Sequence, residues 1–177
     1  KVLSKKKEPT SIKVKLLRAL EELQLVEALP VIIERFHDDR TRVREAALVT
    51  LLSYKDLQSI LAKNLAVEYD LVSALRLMYK RELSNDLRVK ILRLLSKIST
   101  IYTVDFLLDV LKHSKGNMRA DVIYALGSYS DPSIANIIRP FLHSTNSRQR
   151  TSAAISLGRY GGFNDDVNSV VAGFLRS

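Results

Sequence analysis

The sequence predicts an all-α fold, a right-handed α-solenoid of about five stacked helical pairs. Two observations lead to this class. A segment with a helical pattern of apolar residues recurs along the chain at a nearly constant period. No stretch alternates apolar and polar residues over a useful length, as a half-exposed β-strand would. Recurrence every 20–50 residues or so is typical of stacked-repeat proteins, because one unit cannot bury its apolar face alone.

The recurring segment is clearest at 117–129, NMRADVIYALGSY, and it returns 31 residues later at 148–160, RQRTSAAISLGRY. The same step backwards reaches 86–98, a larger step of 44 reaches 42–54, and a further step of 31 reaches 11–23. Each of the five copies has a basic residue in the same register, and these residues are named the basic ladder: Lys13, Arg44, Arg88, Arg119 and Arg150.

The first half of the chain is predicted to form helices separated by short polar turns. Residues 1–9 contain three consecutive lysines and are expected to be a basic lead-in or linker. Pro9 and Thr10 then suit the start of a helix, because proline is tolerated in a first turn and threonine can cap one. Asp39 or Thr41 is expected to cap the helix that contains Arg44. Helices are expected near 10–24, 26–36, 42–54, 69–81 and 87–99, with an extra short helix in the insertion 55–70.

The second half follows the 31-residue period more regularly. Gly116 can supply a left-handed turn, after which Asn117 is expected to cap the next helix. Asp131-Pro132 suits another helix start, and Pro140 is expected to bend that helix late. Gly161-Gly162 is expected to interrupt the chain. Helices are expected near 104–112, 117–129, 131–143, 148–160 and 164–175, so that residues 10–177 form a single domain.

Composition restricts the class of protein without identifying a reaction. Apolar runs such as 28–33 and 170–172 fall far short of the roughly 20 residues that cross a bilayer. The absence of cysteine excludes disulfides and thiolate chemistry. The net charge of +9 favours acidic partners such as nucleic acid, anionic lipid or an acidic protein surface. Because the chain begins at Lys1 and ends without a polar capping unit, we expect it to be a segment of a longer chain.

The details of the repeat resemble a known family. The residues that carry the resemblance are an Asp-Pro at the start of a first helix, and then Val-Arg, small residues and Leu-Gly along the second helix. In this sequence they are Asp131-Pro132, Val43-Arg44, Ala46-Ala47, Ala153-Ala154, Leu126-Gly127 and Leu157-Gly158. In these features the chain resembles HEAT-repeat proteins of the short-unit kind that also occurs in phycobilin lyases. The similarity runs from about Thr10 to the end, departing at the insertion and at 68–99, which lacks the glycine. The resemblance implies a binding scaffold.

The resemblance also implies which side chains are structural and which face a partner. In the family, the ladder arginine bonds to turn groups of its own or the adjacent unit, so we expect the basic ladder to be structural. The second helices line a concave surface, and Lys90, Arg93 and Lys97 share one helix face there. Tyr124 and Ile155 align across neighbouring copies. We name the predicted partner-binding residues the concave set: Lys90, Arg93, Lys97, Tyr124, Ile155 and Arg159.

Catalytic and metal-binding residues are not indicated. His37, His113 and His143 lie near turns, and none has an acidic residue at the helical spacing that a metal site favours. The His-Glu pairs of di-iron hydroxylases built on this repeat are absent. A repeat-type DNA glycosylase is disfavoured because the chain lacks tryptophan, and Asp121 beside Tyr124 is the nearest imitation of its site. We therefore predict no cofactor, no metal and no enzymatic activity.

The prediction from the sequence is a non-catalytic scaffold that binds another protein, one with an acidic surface or peptide, through its concave basic surface. The first alternative is binding of a nucleic-acid backbone by the same surface. The second is the cytoplasmic interaction domain of a membrane protein, with residues 1–7 as a basic segment beside the membrane. If the concave set has no binding role, its residues simply form a solvent-exposed face of these helices. We expect a cytoplasmic location, free or tethered by segments outside this sequence.

Overall fold

The computed structural model describes residues 8–129, 131–160, 167–168 and 171–173. Within these ranges the regular structure is helical and contains no β-strand, which confirms the predicted all-α class. The five copies correspond to α1, α3, α6, α8 and α10, whose bounds are given below. The packing divides the chain into two compact units, with the boundary between Glu82 and Leu83. That residues 10–177 form a single domain stays a prediction.

The N-terminal unit contains α1 (Thr10–Leu23), α2 (Leu29–Glu34), α3 (Thr41–Ser53), α4 (Leu57–Ala62) and α5 (Leu65–Arg81). Short 3-10 turns at Val26–Ala28 and Arg35–His37 flank α2. Helix α3 packs against α1 on one side and against α2 with its 3-10 extension on another. Phe36, Leu48 and Tyr54 lie in the core of this unit with no exposed surface. The extra helix predicted in the insertion is confirmed as α4.

The C-terminal unit contains α6 (Asn85–Ile98), α7 (Val104–His113), α8 (Gly116–Leu126), α9 (Pro132–Ile138) and α10 (Ser147–Arg159). The 3-10 turns Ile101–Thr103 and Arg139–His143 precede α7 and follow α9. Helix α8 packs against α6, α7 and α10, so the three copies in this unit lie side by side. Of the predicted helix near 164–175, only 167–168 and 171–173 are described, and they are helical. Gly161-Gly162 lies outside the described residues.

Several helix starts differ from the predictions, for local reasons. The predicted helix 26–36 is divided into a 3-10 turn, α2 and a second 3-10 turn, with Pro30 in the first turn of α2, where its missing N–H costs little. Neither Asp39 nor Thr41 caps α3, because the N-cap is Arg40, whose side chain makes no capping bond. Asn117 does not cap α8, because Gly116, at φ +54°, already begins that helix.

Recurring hydroxyl groups join neighbouring copies within each unit. Thr50 donates its Oγ1 hydrogen to the Leu17 carbonyl at 3.1 Å, and Ser156 donates to the Ile123 carbonyl at the same distance. Thr50 and Ser156 occupy the same position of the repeat, and Leu17 and Ile123 share another position. A helical carbonyl can accept such a second bond while keeping its own helix intact. These bonds therefore fix the lateral register of adjacent second helices.

The tyrosine that ends three of the copies makes a related contact. Tyr54, Tyr129 and Tyr160 donate phenol hydrogens to carbonyls of the preceding repeat, at distances between 2.8 and 3.5 Å. The Tyr129 hydroxyl also bonds the Thr103 hydroxyl. Burial raises the pKa of Tyr129 to about 12 despite this bond, so the phenol stays protonated and can donate.

The Leu-Gly pair at the end of a copy has a steric reason. Gly127 follows the last residue of α8 at a close contact with α10, and a methyl group built on it would lie 2.2 Å from the Ser156 Oγ atom. The same methyl would lie 2.8 Å from the Ser156 Cα atom, so backbone is also in the way. The glycine is therefore required by the close approach of two helices rather than by its own backbone angles.

Candidate functional site

A groove in the C-terminal unit crosses α6, α8 and α10. Its volume is about 790 Å³. Apolar atoms of Leu92, Tyr124 and Ala125 contribute to its lining, and charged side chains stand beside them. The groove is lined by Val89, Leu92, Arg93, Ser96, Lys97, Asp121, Tyr124, Ala125, Ser147, Arg148, Thr151 and Ser152. We refer to this feature as the basic groove.

The basic groove brings together half of the concave set. Arg93, Lys97 and Tyr124 line it, with Arg93 and Tyr124 exposed and Lys97 half-buried. Lys90 and Ile155 lie on the same helices, but they do not line the groove. The groove runs diagonally across the three helices, from Arg93 and Lys97 in the second half of α6 to the first two turns of α10. Ile155 shares the register of Arg93 and Tyr124, but it lies further along α10 than the lining reaches.

Arg159 contributes to the groove indirectly, by covering Tyr124. Its guanidinium carbon lies 4.4 Å from the centre of the Tyr124 ring, which is a cation–π contact. Its Nη1 group also donates to the Ser128 Oγ atom at 3.4 Å. Together these contacts hold the ring of Tyr124 beside the groove. Arg159 therefore lies next to the groove and positions Tyr124, which lines it.

Two charged lining residues were not in the concave set. Arg148 donates from Nη2 to Asp121 Oδ1 at 2.7 Å, joining the start of α10 to α8. The Arg148 side chain is about half exposed, whereas Asp121 is largely covered. Their positions on exposed helix faces were evident in the sequence. Their pairing was not, because they lie 27 residues apart and the register alone does not align them.

Three arginines of the basic ladder lie away from the groove and bond to the turns that precede the second helices. Arg119 donates from Nε to the Ser114 carbonyl at 2.7 Å, and Arg150 donates from Nη1 to the Ser144 carbonyl at 2.8 Å. Arg44 donates from Nη1 to the carbonyls of Asp38 and Asp39, each at 3.0 Å. These bonds satisfy turn carbonyls that no helix pairs. They support a structural role for the ladder, which stays a prediction.

Two ladder positions also join a carboxylate. Lys13 donates to Asp38 Oδ2 at 2.6 Å, linking α1 to the turn before α3. Arg44 donates from Nη2 and Nε to Glu82 Oε2 at 2.7 and 3.1 Å. Both partners of the second pair are buried, and the two residues are 38 positions apart. The N-terminal unit therefore contains a buried ion pair that the repeat pattern did not predict.

Asp38 is the most strongly perturbed carboxylate of this unit. Partial burial by itself raises its pKa, but the Lys13 ammonium, the Arg40 backbone N–H and the Arg40 guanidinium outweigh it and lower the pKa to about 2. Opposite charge and hydrogen bonds both favour the ionised carboxylate. Asp38 is thus ionised in the folded protein at any pH above about 3, and it joins α1 to α3 as an anion.

Acid is expected to weaken the N-terminal unit through Asp38. The folded pKa of about 2 lies below the ordinary value of 3.8, so the stabilisation is complete above the ordinary value and is lost as pH falls towards 2. We expect Asp38 to account for about 1–2 kcal/mol of the free energy of unfolding, a figure reduced for the partly exposed Lys13. Urea unfolding at several pH values between about 5 and 2 measures it. Asp38→Asn should remove this share of the pH dependence, and an unchanged slope would contradict the assignment.

The histidines do not form a cluster. No group of three or more metal-ligating side chains occurs among the residues that the structure describes. The expectation that no histidine has an acidic residue at helical spacing is wrong, because Glu34 lies three residues before His37 and Asp109 lies four residues before His113. The His113 Nδ1 atom lies 3.6 Å from Asp109 Oδ1, one helical turn earlier, and bonds the Asp109 carbonyl at 2.8 Å. Both side chains are exposed, so this is a solvated helix-surface pair.

Comparison with protein families agrees with the repeat pattern. A family model described as HEAT repeats matches residues 72–158 and again residues 104–176. The two overlapping matches together span 72–176, which is more than half of the 177 residues. Among curated proteins, none matches the chain in sequence.

Proposed function

Because the chain belongs to the HEAT-repeat family, we propose that it is a non-catalytic scaffold that binds another protein through the basic groove. HEAT repeats generally act as protein-interaction scaffolds, and the family is generally non-catalytic. The observation that carries the proposal is the groove itself, in which Arg93 and Lys97 stand beside the exposed part of the Tyr124 ring. Such a mixture of apolar lining and charged neighbours is common where proteins bind proteins.

The chemistry of the groove indicates an acidic segment that also carries an apolar or aromatic side chain. Arg93 and Lys97 lie one turn apart on α6, so they can receive carboxylates spaced along one extended or helical segment. The half-exposed ring of Tyr124 offers a flat surface, and tyrosine is frequent at energetically important positions of interfaces. The proposed partner therefore places an apolar side chain against Tyr124 and acidic side chains against Arg93 and Lys97.

Two cations near the groove are already occupied, which favours a protein partner over nucleic acid. Arg148 is paired with Asp121, and Arg159 covers the ring of Tyr124. The Arg148–Asp121 ion pair carries no net charge, so Arg148 adds little to the attraction of a phosphate backbone. A phosphate backbone is best held by several uncompensated lysines and arginines. We therefore expect this groove to bind nucleic acid more weakly than the net charge of the whole sequence suggests.

Charge reversal in the groove tests the proposal. Partners are first captured from native lysate by the 177-residue chain and identified. We expect Arg93→Glu with Lys97→Glu to weaken the partner's affinity by about tenfold or more, because each change replaces attraction by repulsion. Calorimetry with the purified partner measures the change. Lys112→Glu with Arg139→Glu is the matched control, since both residues are exposed, lie in the same unit and do not line the groove.

The outcomes of this experiment are distinct. If the groove variant retains every partner at full affinity while its circular dichroism and melting are unchanged, the groove is not the binding site. If the control weakens binding equally, the effect is one of net charge alone and the groove is again not the site. Binding lost only in the groove variant supports the proposal.

Nucleic-acid binding is the second candidate, and the net charge of +9 is the observation that favours it. Binding to a phosphate backbone falls steeply with salt, in proportion to the number of phosphates contacted. A gel-shift titration with single- and double-stranded oligonucleotides at low and physiological salt tests it. Binding that is strong at low salt and lost in the groove variant would assign the groove to nucleic acid. No shift at low salt would exclude this candidate.

Location is the least constrained part of the proposal. No helix in the described ranges is long and apolar enough to cross a membrane. A cytoplasmic location, free or tethered, stays a prediction. The full-length sequence tests the tethered alternative: a membrane-spanning segment next to the basic residues 1–7 would support it, and hydrophilic flanking sequence would contradict it.

A further inference from the structure

One helix exposes a face that the other copies of the repeat bury. Leu16 of α1 is 60% exposed, although leucine is among the residues most often fully buried. The residues in the same register of the other four copies have no exposed surface, and they are Ala47, Ile91, Val122 and Ala153. The same residue position is therefore core in four helices and surface in α1.

The exposure extends along the whole of α1. Ile12, four residues before Leu16, and Leu23, seven residues after it, are 43% and 63% exposed, and Ala19 between Leu16 and Leu23 is also exposed. Val14 and Leu17 are buried against α3 on the opposite side of the helix. We name the exposed row the α1 stripe: Ile12, Leu16, Ala19 and Leu23. An amphipathic helix normally turns such a stripe to the core, so α1 presents a second apolar face without a described partner.

The spacing of the α1 stripe is that of a coiled-coil seam. Its members are separated by four, three and four residues, the alternation of a heptad repeat. If a second α1 lies antiparallel across a twofold axis, Ile12 of one copy faces Leu23 of the other and Leu16 faces Ala19. Each of the two central layers then pairs a large side chain with a small one, which suits the close packing of facing helices.

The charges that flank the α1 stripe are complementary to those of a second, antiparallel copy. Lys15 and Glu22 are exposed and lie on the same side of the stripe, seven residues apart. In an antiparallel pair, Lys15 of one copy is beside Glu22 of the other, and the symmetry makes this pair twice. In a parallel pair, Lys15 of one helix would instead be beside Leu20 of the other, so this ion pair would not form.

We propose that the α1 stripe is a self-association surface, at which two copies of the chain pair through antiparallel α1 helices. The surface is isologous, meaning that the same residues contribute from both copies. The proposal does not rest on the proposed function, because the α1 stripe is in the N-terminal unit and the basic groove is in the C-terminal unit. A single pair of 14-residue helices is a small interface. We therefore expect weak, concentration-dependent dimers, with a dissociation constant on the order of 10–100 µM.

Sedimentation of the full 177-residue chain from about 1 to 500 µM tests self-association. We expect the mean mass to rise from monomer towards dimer over this range. Leu16→Glu should weaken the dimer by about 100-fold or more, because each dimer then buries two unpaired carboxylates. Leu77→Glu is the matched control, since Leu77 is 58% exposed on α5 of the same unit, and it should leave the dimer unchanged. Equal melting temperatures of both variants would show that each is folded.

Charge swaps then identify the geometry. Lys15→Glu alone and Glu22→Lys alone should each weaken the dimer by about three- to tenfold, since each creates two like-charge contacts. Mixing the two single variants should restore association as a heterodimer, because glutamates of one chain then face lysines of the other. A chain carrying both changes should dimerise like the unchanged protein.

The results that would overturn the proposal are equally specific. A chain that stays monomeric at 500 µM or so excludes a self-association surface of the expected strength. Dimers that survive Leu16→Glu, or single variants that do not recover on mixing, place any association elsewhere or in another geometry. If the unchanged chain is monomeric and the α1 stripe instead binds an added amphipathic peptide, its occupant is a different protein and the proposal is wrong.

Discussion

Replacing Gly127 by alanine is expected to lower the free energy of unfolding by about 2–3 kcal/mol, with a larger loss for valine. Alanine would ordinarily stabilise a helix end at a negative φ such as the −66° of Gly127, by a fraction of a kcal/mol. Here the added methyl would overlap the Ser156 side chain and approach its Cα atom to 2.8 Å. The steric term exceeds the propensity term, so α8 and α10 must move apart. Denaturant unfolding followed by circular dichroism measures the loss.

A rescue variant and a matched control make this prediction specific. Ser156→Gly removes the Oγ and Cβ atoms that alanine at position 127 would meet, so the double variant should be less unstable than the two single losses combined. Gly173→Ala adds a methyl that meets no heavy atom within 4 Å, and it should be nearly neutral. If Gly127→Ala is as stable as the unchanged protein, the close approach of α8 and α10 is not required for packing.

Arg44→Met is expected to lower the free energy of unfolding by about 3–5 kcal/mol. The change leaves the Glu82 carboxylate, whose side chain is 7% exposed, without its counterion. It also removes the two bonds that Arg44 donates to the carbonyls of Asp38 and Asp39. A buried carboxylate without a partner is much less stable than one in water, and this term dominates the loss. Urea unfolding of the full chain measures it.

The ion pair can be separated from the turn bonds by two further variants. Replacing both Arg44 and Glu82 by methionine removes both charges, and it should recover a large part of the loss because apolar packing can substitute for a buried pair. Arg150→Met changes the same ladder position in another copy, where the half-buried arginine donates to the turn carbonyls of Ser144 and Thr145. It should cost only about 1–2 kcal/mol. Equal losses for Arg44→Met and the double methionine variant would show that the unpaired carboxylate is not the cause.

The register of the repeat allowed the fold to be predicted from the sequence. The five copies coincide with α1, α3, α6, α8 and α10, and the insertion coincides with α4. The Leu-Gly pair also follows from the register, because Gly127 lies at a close contact with the next copy. Repeats pack against their neighbours, so the residues that recur are those that make the stacking contacts. The predicted helix starts were less accurate. Before α3, Arg44 donates to the Asp38 carbonyl and the Asp38 carboxylate accepts from the Arg40 backbone N–H, and these bonds replace a capping side chain.

The candidate site followed from the sequence only in part. The register identified the exposed faces that contain Arg93, Lys97 and Tyr124, which the basic groove brings together. It did not identify the pairing of Arg148 with Asp121 or the stacking of Arg159 on Tyr124. A long charged side chain can reach several partners. Which one it contacts depends on the distances between helices, and a sequence pattern does not give those distances.

The sequence by itself thus determined the all-α class, the copies and their stacking residues, because period and residue type are properties of the chain alone. Only the tertiary structure decided which equivalent positions are covered. Leu16 and Ala47 occupy the same register, yet one is 60% exposed and the other has no exposed surface. It also decided that Arg44 meets Glu82, 38 residues away. Burial and ion pairing depend on what packs against a residue, which the register of a repeat does not specify.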